Sequence, residues 1–201
     1  MLAQQPVEHP WFQDSSMPIV LSVGRLSPQK DFATLIRAIA QVNRHMPCRL
    51  IILGKGEQRA ELERLVEQLG LQQRVWMPGF DPNPYRYMAR ATLFVLPSRW
   101  EGSPNALVEA LACGIPVIAT DSPGGAREIL EDGRWGILTP VGNPEALAEA
   151  ILQTLQRPVD REALRRRAQD FSVDKIANQY LNALGIHHGS QPVDLAKTSN
   201  S

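Results

Sequence analysis

"ATLFVLPSRWEGSPNALVEALACGIPVIAT", residues 91–120, is the stretch whose reading decides the fold. It opens on a continuous apolar run (91–97), crosses a polar loop, takes up helical spacing, and returns to a second apolar run (115–120). Neither run alternates, so each reads as a strand covered on both faces, and a helix between two such strands is a parallel crossover. In the helix expected over about 103–113, Ala106, Leu107, Ala110, Leu111 and Cys113 gather on one side, with Val108 at the edge. Asn105, Glu109 and Ala112 form the opposite side. Ser103 is the expected cap and Pro104 the first helical residue. Glu101 precedes this start, and Glu109 lies about 9 Å beyond Ser103 along the axis, at roughly 1.5 Å per residue.

Outward from this stretch the same alternation holds. "PIVLSVG" (18–24), "RLIILG" (49–54), "RVWMPG" (74–79) and "WGILTP" (135–140) join the two runs above as expected strands. Helical spacing occupies 31–46 and 57–70, where Leu62, Leu65, Val66 and Leu69 make a buried stripe, and shorter helices fit near 83–90 and 123–131. The pattern predicts an α/β fold, a Rossmann-like doubly wound parallel sheet of about six strands, with ligands at the carboxyl ends of the strands. From 143 onward three helices follow, expected at the far edge of the sheet or crossing elsewhere. Residues 1–17 read as a linker-like segment, although Trp11 and Phe12 are unusual in a solvated linker; 18–184 form the domain, and 185–201 read as a disordered tail.

Composition narrows the function. The 201 residues carry 21 basic and 21 acidic side chains with no basic block, which disfavours nucleic acid or an anionic membrane as main partner. Cys48 and Cys113 sit in or beside apolar segments and read as buried, reduced thiols, as in a cytoplasmic protein. No apolar run reaches membrane-spanning length and no signal-peptide pattern is present. His9, His45, His187 and His188 show no metal-site spacing and read as surface residues.

Four strand ends carry residues to weigh for chemistry. After the first strand come Gly24, Arg25 and Lys30: a glycine that lets a ligand approach the backbone, with two cations suited to a phosphate or diphosphate. The plainer alternative makes both cations solvated loop residues. "GKGEQR" (54–59) begins like a dinucleotide motif, but Arg59 stands at the third glycine position and no ribose-binding acid follows, so a tight turn is the simpler reading. In the opening stretch a helix N-terminus supplies amides and partial positive charge. The acids on either side of it, Glu101 and Glu109, suit hydroxyl groups, so diphosphate flanked by hydroxylated groups describes a nucleotide-sugar; Glu109 alone could equally be a surface helix acid. In "DSPGGAREIL" (121–130), Gly124 and Gly125 either offer amides to a ligand or form a turn with positive φ.

These residues resemble a known family. "GRLSPQKDFATLIRA", "LGKGEQRAELE", "RVWMPGF" and above all "PSRWEGSPNALVEALACGIPVIATDSPGGAREIL" are similar to the C-terminal, donor-binding half of retaining glycosyltransferases of family 4, which have the two-domain GT-B fold. The resemblance runs from about Pro18 to Leu184, and its Glu-x7-Glu motif is Glu101 and Glu109. It implies that Arg25 and Lys30 hold the donor's diphosphate, Glu109 binds the ribose hydroxyls and Glu101 contacts the transferred sugar. It also implies that Gly24, Ser103 and amides around Asn105, Ala106 and Leu107 complete the phosphate site, and that Gly79 and Phe80 lie near the nucleobase.

The implied activity is transfer of a hexose or N-acetylhexosamine from a nucleoside-diphosphate sugar, UDP-linked by preference, to a glycan, lipid or other hydroxyl acceptor, with no cofactor and no metal. The family's N-terminal, acceptor-binding domain is not among these residues and is expected as a partner, as a separate chain or otherwise. Peripheral membrane contact, if any, is expected through that domain alone. The alternative is a catalytically incomplete nucleotide-binding fragment; a nicotinamide-dependent oxidoreductase is disfavoured by the broken glycine motif.

Overall fold

A computed structural model describes residues 2–184; the tail expected over 185–201, with His187 and His188, lies outside the described residues. Six strands, β1 (Ile19–Val23), β2 (Arg49–Leu53), β3 (Val75–Gly79), β4 (Leu93–Leu96), β5 (Val117–Thr120) and β6 (Ile137–Thr139), form one sheet. Every pairing is parallel, and the order is β3-β2-β1-β4-β5-β6. The helices are α1 (Phe32–Val42), α2 (Arg59–Gln68), α3 (Tyr85–Met88), α4 (Asn105–Ala112), α5 (Ala126–Ile129), α6 (Pro144–Leu155), α7 (Arg161–Ala168) and α8 (Val173–Ala183). All six expected strands are present, each shortened by one to three residues.

The continuous apolar runs split cleanly between two cores because successive strand residues face opposite ways. Val20, Leu50, Ile52, Leu93 and Val95 pack with α1, α2 and α6. Ile19, Leu21, Ile51, Phe94 and Leu96 pack with α3, α4, α5 and α7 on the other face. Most of these side chains are fully buried, at roughly 1.5–3 kcal/mol each. Of the two placements expected for the last helices, α6 and α7 take the crossing one: α6 runs over β6 and β4 to pack on α1, while α7 packs on α4, because Leu147, Ala148 and Ile151 complete the first core and Leu164 and Ala168 the second. α8 buries no residue and exposes Val173, Tyr180 and Leu184. Among the described residues no helix is long and apolar enough to cross a membrane.

Residues 2–17 lie against the domain, which accounts for the aromatics there. Phe12 and Trp11 pack on the second core, and Trp11 meets Trp76 edge-on. His9 is no simple surface histidine: it stacks on Trp76 with ring centroids 3.9 Å apart, and its Nδ1 accepts from the Trp11 N–H. Partial burial and the nearby Arg49 lower its pKa. The buried Arg49 donates to the Trp11 and Asp14 carbonyls and pairs with the Asp14 carboxylate. Arg86 and Arg90 hold the carbonyls of Pro6, Ala3 and Gln4.

Hydrogen bonds from Ser16, with Arg49 beside it, depress the Asp14 pKa from 3.8 to about 2. A depressed carboxyl adds stability that is complete above the unfolded value and lost as pH falls through the folded one. Acid titration of tryptophan fluorescence should therefore show a loss of packing between pH 4 and 2 that Asp14→Asn removes. Identical titrations for both proteins would show that the pair does not fasten the segment.

Candidate functional site: the crevice between β1 and β4

β1 is followed by α1 on one face and β4 by α4 on the other, so the chain diverges where these adjacent strands end. In doubly wound sheets such a divergence, at the carboxyl ends of the strands, is where ligands bind. The two loops bordering it are joined. The Arg99 N–H donates to the Gln29 carbonyl at 2.8 Å, Gln29 Nε2 donates to the Trp100 carbonyl at 2.9 Å, and Arg99 Nε lies 3.1 Å from Asp31 Oδ2. Asp31, in the left-handed region at φ 46°, caps α1.

The joined loops bring Lys30 to Glu101 across 71 positions of sequence, Nζ to Oε1 at 2.6 Å, with side chains 18% and 5% exposed. The Ser98 hydroxyl donates to the same oxygen at 2.5 Å. Such charge-assisted bonds are roughly twice as strong as neutral ones. Lys30 also explains Gly24: a Cβ there would come 3.2 Å from Lys30 Cδ, so the room above the glycine holds the lysine's own stem. Arg25 stands apart, three-quarters exposed and 3.6 Å from Glu57.

The "GKG" turn is tight for a reason absent from its motif. A Cβ on Gly54 or Gly56 would strike the Gly24 or Leu26 carbonyl, at 1.8 and 2.2 Å, so the loops after β1 and β2 touch backbone to backbone. Gly124 does the same to Glu101. Both Gly124 and Gly125 have positive φ, and the Glu101 N–H donates to the Pro123 carbonyl at 2.8 Å. The glycines of 121–130 thus make the turn that backs Glu101. Gly79, at φ +98°, accepts the Gly54 N–H at 2.8 Å, and Phe80 beside it is two-thirds exposed at the same edge of the sheet.

The start of α4 departs from expectation. Helix begins at Asn105; Pro104 holds the cap position at φ −79°, ψ 65° and makes no side-chain cap bond. Ser103 lies one residue before the cap position, and its hydroxyl donates to Asn105 Oδ1 at 3.1 Å. The Asn105 and Leu107 amides already donate to Ser103 and Pro104 carbonyls, both at 2.9 Å. Ala106 keeps the amide of that turn with no backbone acceptor among the described residues.

Glu109 is half-buried, and Tyr85 Oη donates to its Oε1 at 3.3 Å. Among the described residues no Lys or Arg forms an ion pair with it. Burial first, then the Glu109 charge, raises the pKa of both Tyr85 and Cys113, so its titratable neighbours stay neutral at ordinary pH. With Ser103 and Asn105, Glu109 lines an open cleft of about 850 Å³ between α4, α5 and α8, which Lys30 and Glu101 do not line. Sequence reasoning brought Lys30 and Glu101 to one site but missed Ser98, Gln29 and Tyr85. The serine directly after "VLP", at a strand's carboxyl end, was a usable signal; Tyr85 had none.

A wholly parallel sheet in this strand order, with Lys30 and Glu101 paired where β1 and β4 diverge, is a doubly wound, Rossmann-like α/β domain, of the kind that GT-B glycosyltransferases contain. The chain belongs to the group 1 glycosyl transferases, whose family profile matches residues 8–171. It is 39% identical over 169 residues to the N-acetylgalactosamine-N,N'-diacetylbacillosaminyl-diphospho-undecaprenol 4-alpha-N-acetylgalactosaminyltransferase of Campylobacter jejuni, covering 82% of this chain and 46% of that protein. Among solved structures, Anabaena HepE in complex with UDP is 30% identical with a TM-score of 0.75, over 85% of this chain and 49% of that one. The sucrose-phosphate synthase of Thermosynechococcus elongatus is 32% identical with a TM-score of 0.76, over 86% and 46%. The chain spans about half the length of the curated relatives it matches.

Proposed function

We propose that this chain is the donor-binding half of a retaining glycosyltransferase of family 4, and that it binds a nucleoside-diphosphate sugar, UDP-linked by preference, without a metal. The observation that carries the reading is the part-buried Lys30–Glu101–Ser98 cluster at the strand divergence, a cation and a hydrogen-bond acceptor held beside the first turn of α4. Lys30 meets the diphosphate and stabilises the charge that develops on it as the bond to the anomeric carbon breaks. Arg25, earlier in the same loop, adds a second cation from solvent. Glu101 accepts hydrogen bonds from the sugar hydroxyls, the Ala106 amide serves a phosphate oxygen, and Glu109 accepts from the ribose. UDP in the HepE structure and N-acetylgalactosaminyl transfer in the name of the Campylobacter relative support a UDP-linked hexose or N-acetylhexosamine. That relative's name also supports a glycan or lipid-linked acceptor.

A second reading has its own observation. The exposed apolar side chains of α8 and the match to half of each relative favour a nucleotide-binding unit that transfers sugar only with an N-terminal domain, in the same protein or a separate chain.

Calorimetry in EDTA tests the donor site. Glu109→Gln should weaken UDP and UDP-sugar alike, by about tenfold, because the ribose is common to both. Glu101→Gln should weaken the UDP-sugar and leave UDP nearly unchanged. Binding that appears only with added magnesium or manganese, or four titrations that match the unsubstituted chain, would overturn the assignment.

A further inference from the structure

We propose that Tyr85 is a positioning residue for the ribose site: its hydroxyl holds Glu109 Oε1 so that Oε2 is presented to the vicinal hydroxyls of a nucleotide. The inference rests on the reading of Glu109 given above and adds a residue to it from a different element. Tyr85 opens α3, at the end of the connection from β3, and reaches Glu109 on α4 across 24 positions at 3.3 Å. Its ring packs against the second core, so the hydroxyl is delivered by a rigid, two-torsion side chain.

α3 itself is firmly seated. Asp81 accepts from the Asn83 N–H at 2.8 Å and from the Tyr87 hydroxyl at 3.2 Å, and it pairs with Arg86. Asn83 Nδ2 in turn donates to the Leu2 carbonyl and to Gln5 Oε1. The position of the Tyr85 hydroxyl is therefore fixed by the core on one side and by the N-terminal segment on the other.

The choice of a phenol has a physical logic. An arginine facing Glu109 could occupy both carboxylate oxygens and cancel the charge. A phenol donates one hydrogen bond, leaves the carboxylate charged, and leaves the second oxygen open. A free glutamate on a half-exposed helix face must give up rotamer freedom when a ligand binds. A tethered one has already done so, which is how preorganisation raises affinity without a new ligand contact. Cys113, one turn along α4, is also neutral and offers no competing strong donor.

The test is calorimetry of the whole chain with UDP and with its 2′,3′-dideoxy analogue. Tyr85→Phe keeps the ring and removes only the hydroxyl. It should weaken UDP by about fivefold and leave the dideoxy analogue unchanged, and Tyr85→Phe with Glu109→Gln should bind UDP no more weakly than Glu109→Gln alone. Equal weakening of both nucleotides by Tyr85→Phe marks a packing role and overturns the inference. So does unchanged UDP affinity in Tyr85→Phe when Glu109→Gln weakens it. If Glu109→Gln leaves UDP affinity unchanged, the ribose reading itself fails and the positioning role falls with it.

Discussion

Lys30→Met is expected to lower the unfolding free energy by about 3 kcal/mol, the cost of leaving a buried carboxylate without its cation. Methionine keeps an aliphatic stem over Gly24, where the lysine methylenes now lie, so the change isolates the charge. Glu101, 5% exposed, would then keep Ser98 as its only hydrogen-bonding partner among the described residues. Lys30→Met combined with Glu101→Gln should recover most of the loss, because a neutral amide needs no cation. The same variant should weaken UDP by at least about tenfold while sparing uridine, which has no phosphate for Lys30 to meet. Urea unfolding of both variants gives the first pair of numbers and calorimetry the second. A single variant as stable as the unsubstituted chain would mean that Glu101 finds water in place of lysine. Equal losses for uridine and UDP would remove the phosphate role.

The expected coupling of stability to ligand affinity has its basis in where the two residues sit. Lys30 and Glu101 belong to loops after β1 and β4, strands that are adjacent in space and distant in sequence. Periodicity located each strand, because consecutive apolar residues covered on both faces leave an unbroken run; the two cores divide Leu50 from Ile51 and Phe94 from Val95 as that reading requires. Periodicity does not say which strand ends meet. The Glu-x7-Glu spacing is a local feature, with Glu101 before α4 and Glu109 within it, and the cleft that Glu109 lines does not include Glu101. Ser98, Gln29 and Tyr85 act over 3, 71 and 24 positions respectively, and two of those three contacts leave no trace in a local window. The cap failed for a local reason: Pro104, with ψ 65°, turns the chain before the helix begins, and Asn105 takes the Ser103 hydroxyl. The aromatics of residues 2–17 were legible as an anomaly, and their partners, Trp76 and Tyr87, were not.

The turn behind Glu101 leads to the other large expected effect. Gly124 has φ +111°, and a Cβ there would fall 1.7 Å from the Glu101 carbonyl oxygen and 2.4 Å from its carbon. Both are backbone atoms, so no side chain can swing aside. Either the turn at 122–125 or the loop carrying Glu101 must move, and the 2.8 Å bond from the Glu101 N–H to the Pro123 carbonyl moves with it. Gly124→Ala should cost about 3 kcal/mol or more, from backbone strain and the lost contact together. Because the displaced residue is Glu101, the UDP-sugar should lose more affinity than UDP, which does not depend on that carboxylate. Gly142→Ala supplies the control. Its φ is +69° and nothing lies within 4 Å of the added methyl, so it carries only the conformational penalty, about 1 kcal/mol. Unfolding of the two variants, with titrations of both ligands, separates a turn that merely tolerates glycine from one that holds the Glu101 loop in place. If Gly124→Ala costs no more than Gly142→Ala and shifts both ligands equally, the turn is not what positions Glu101.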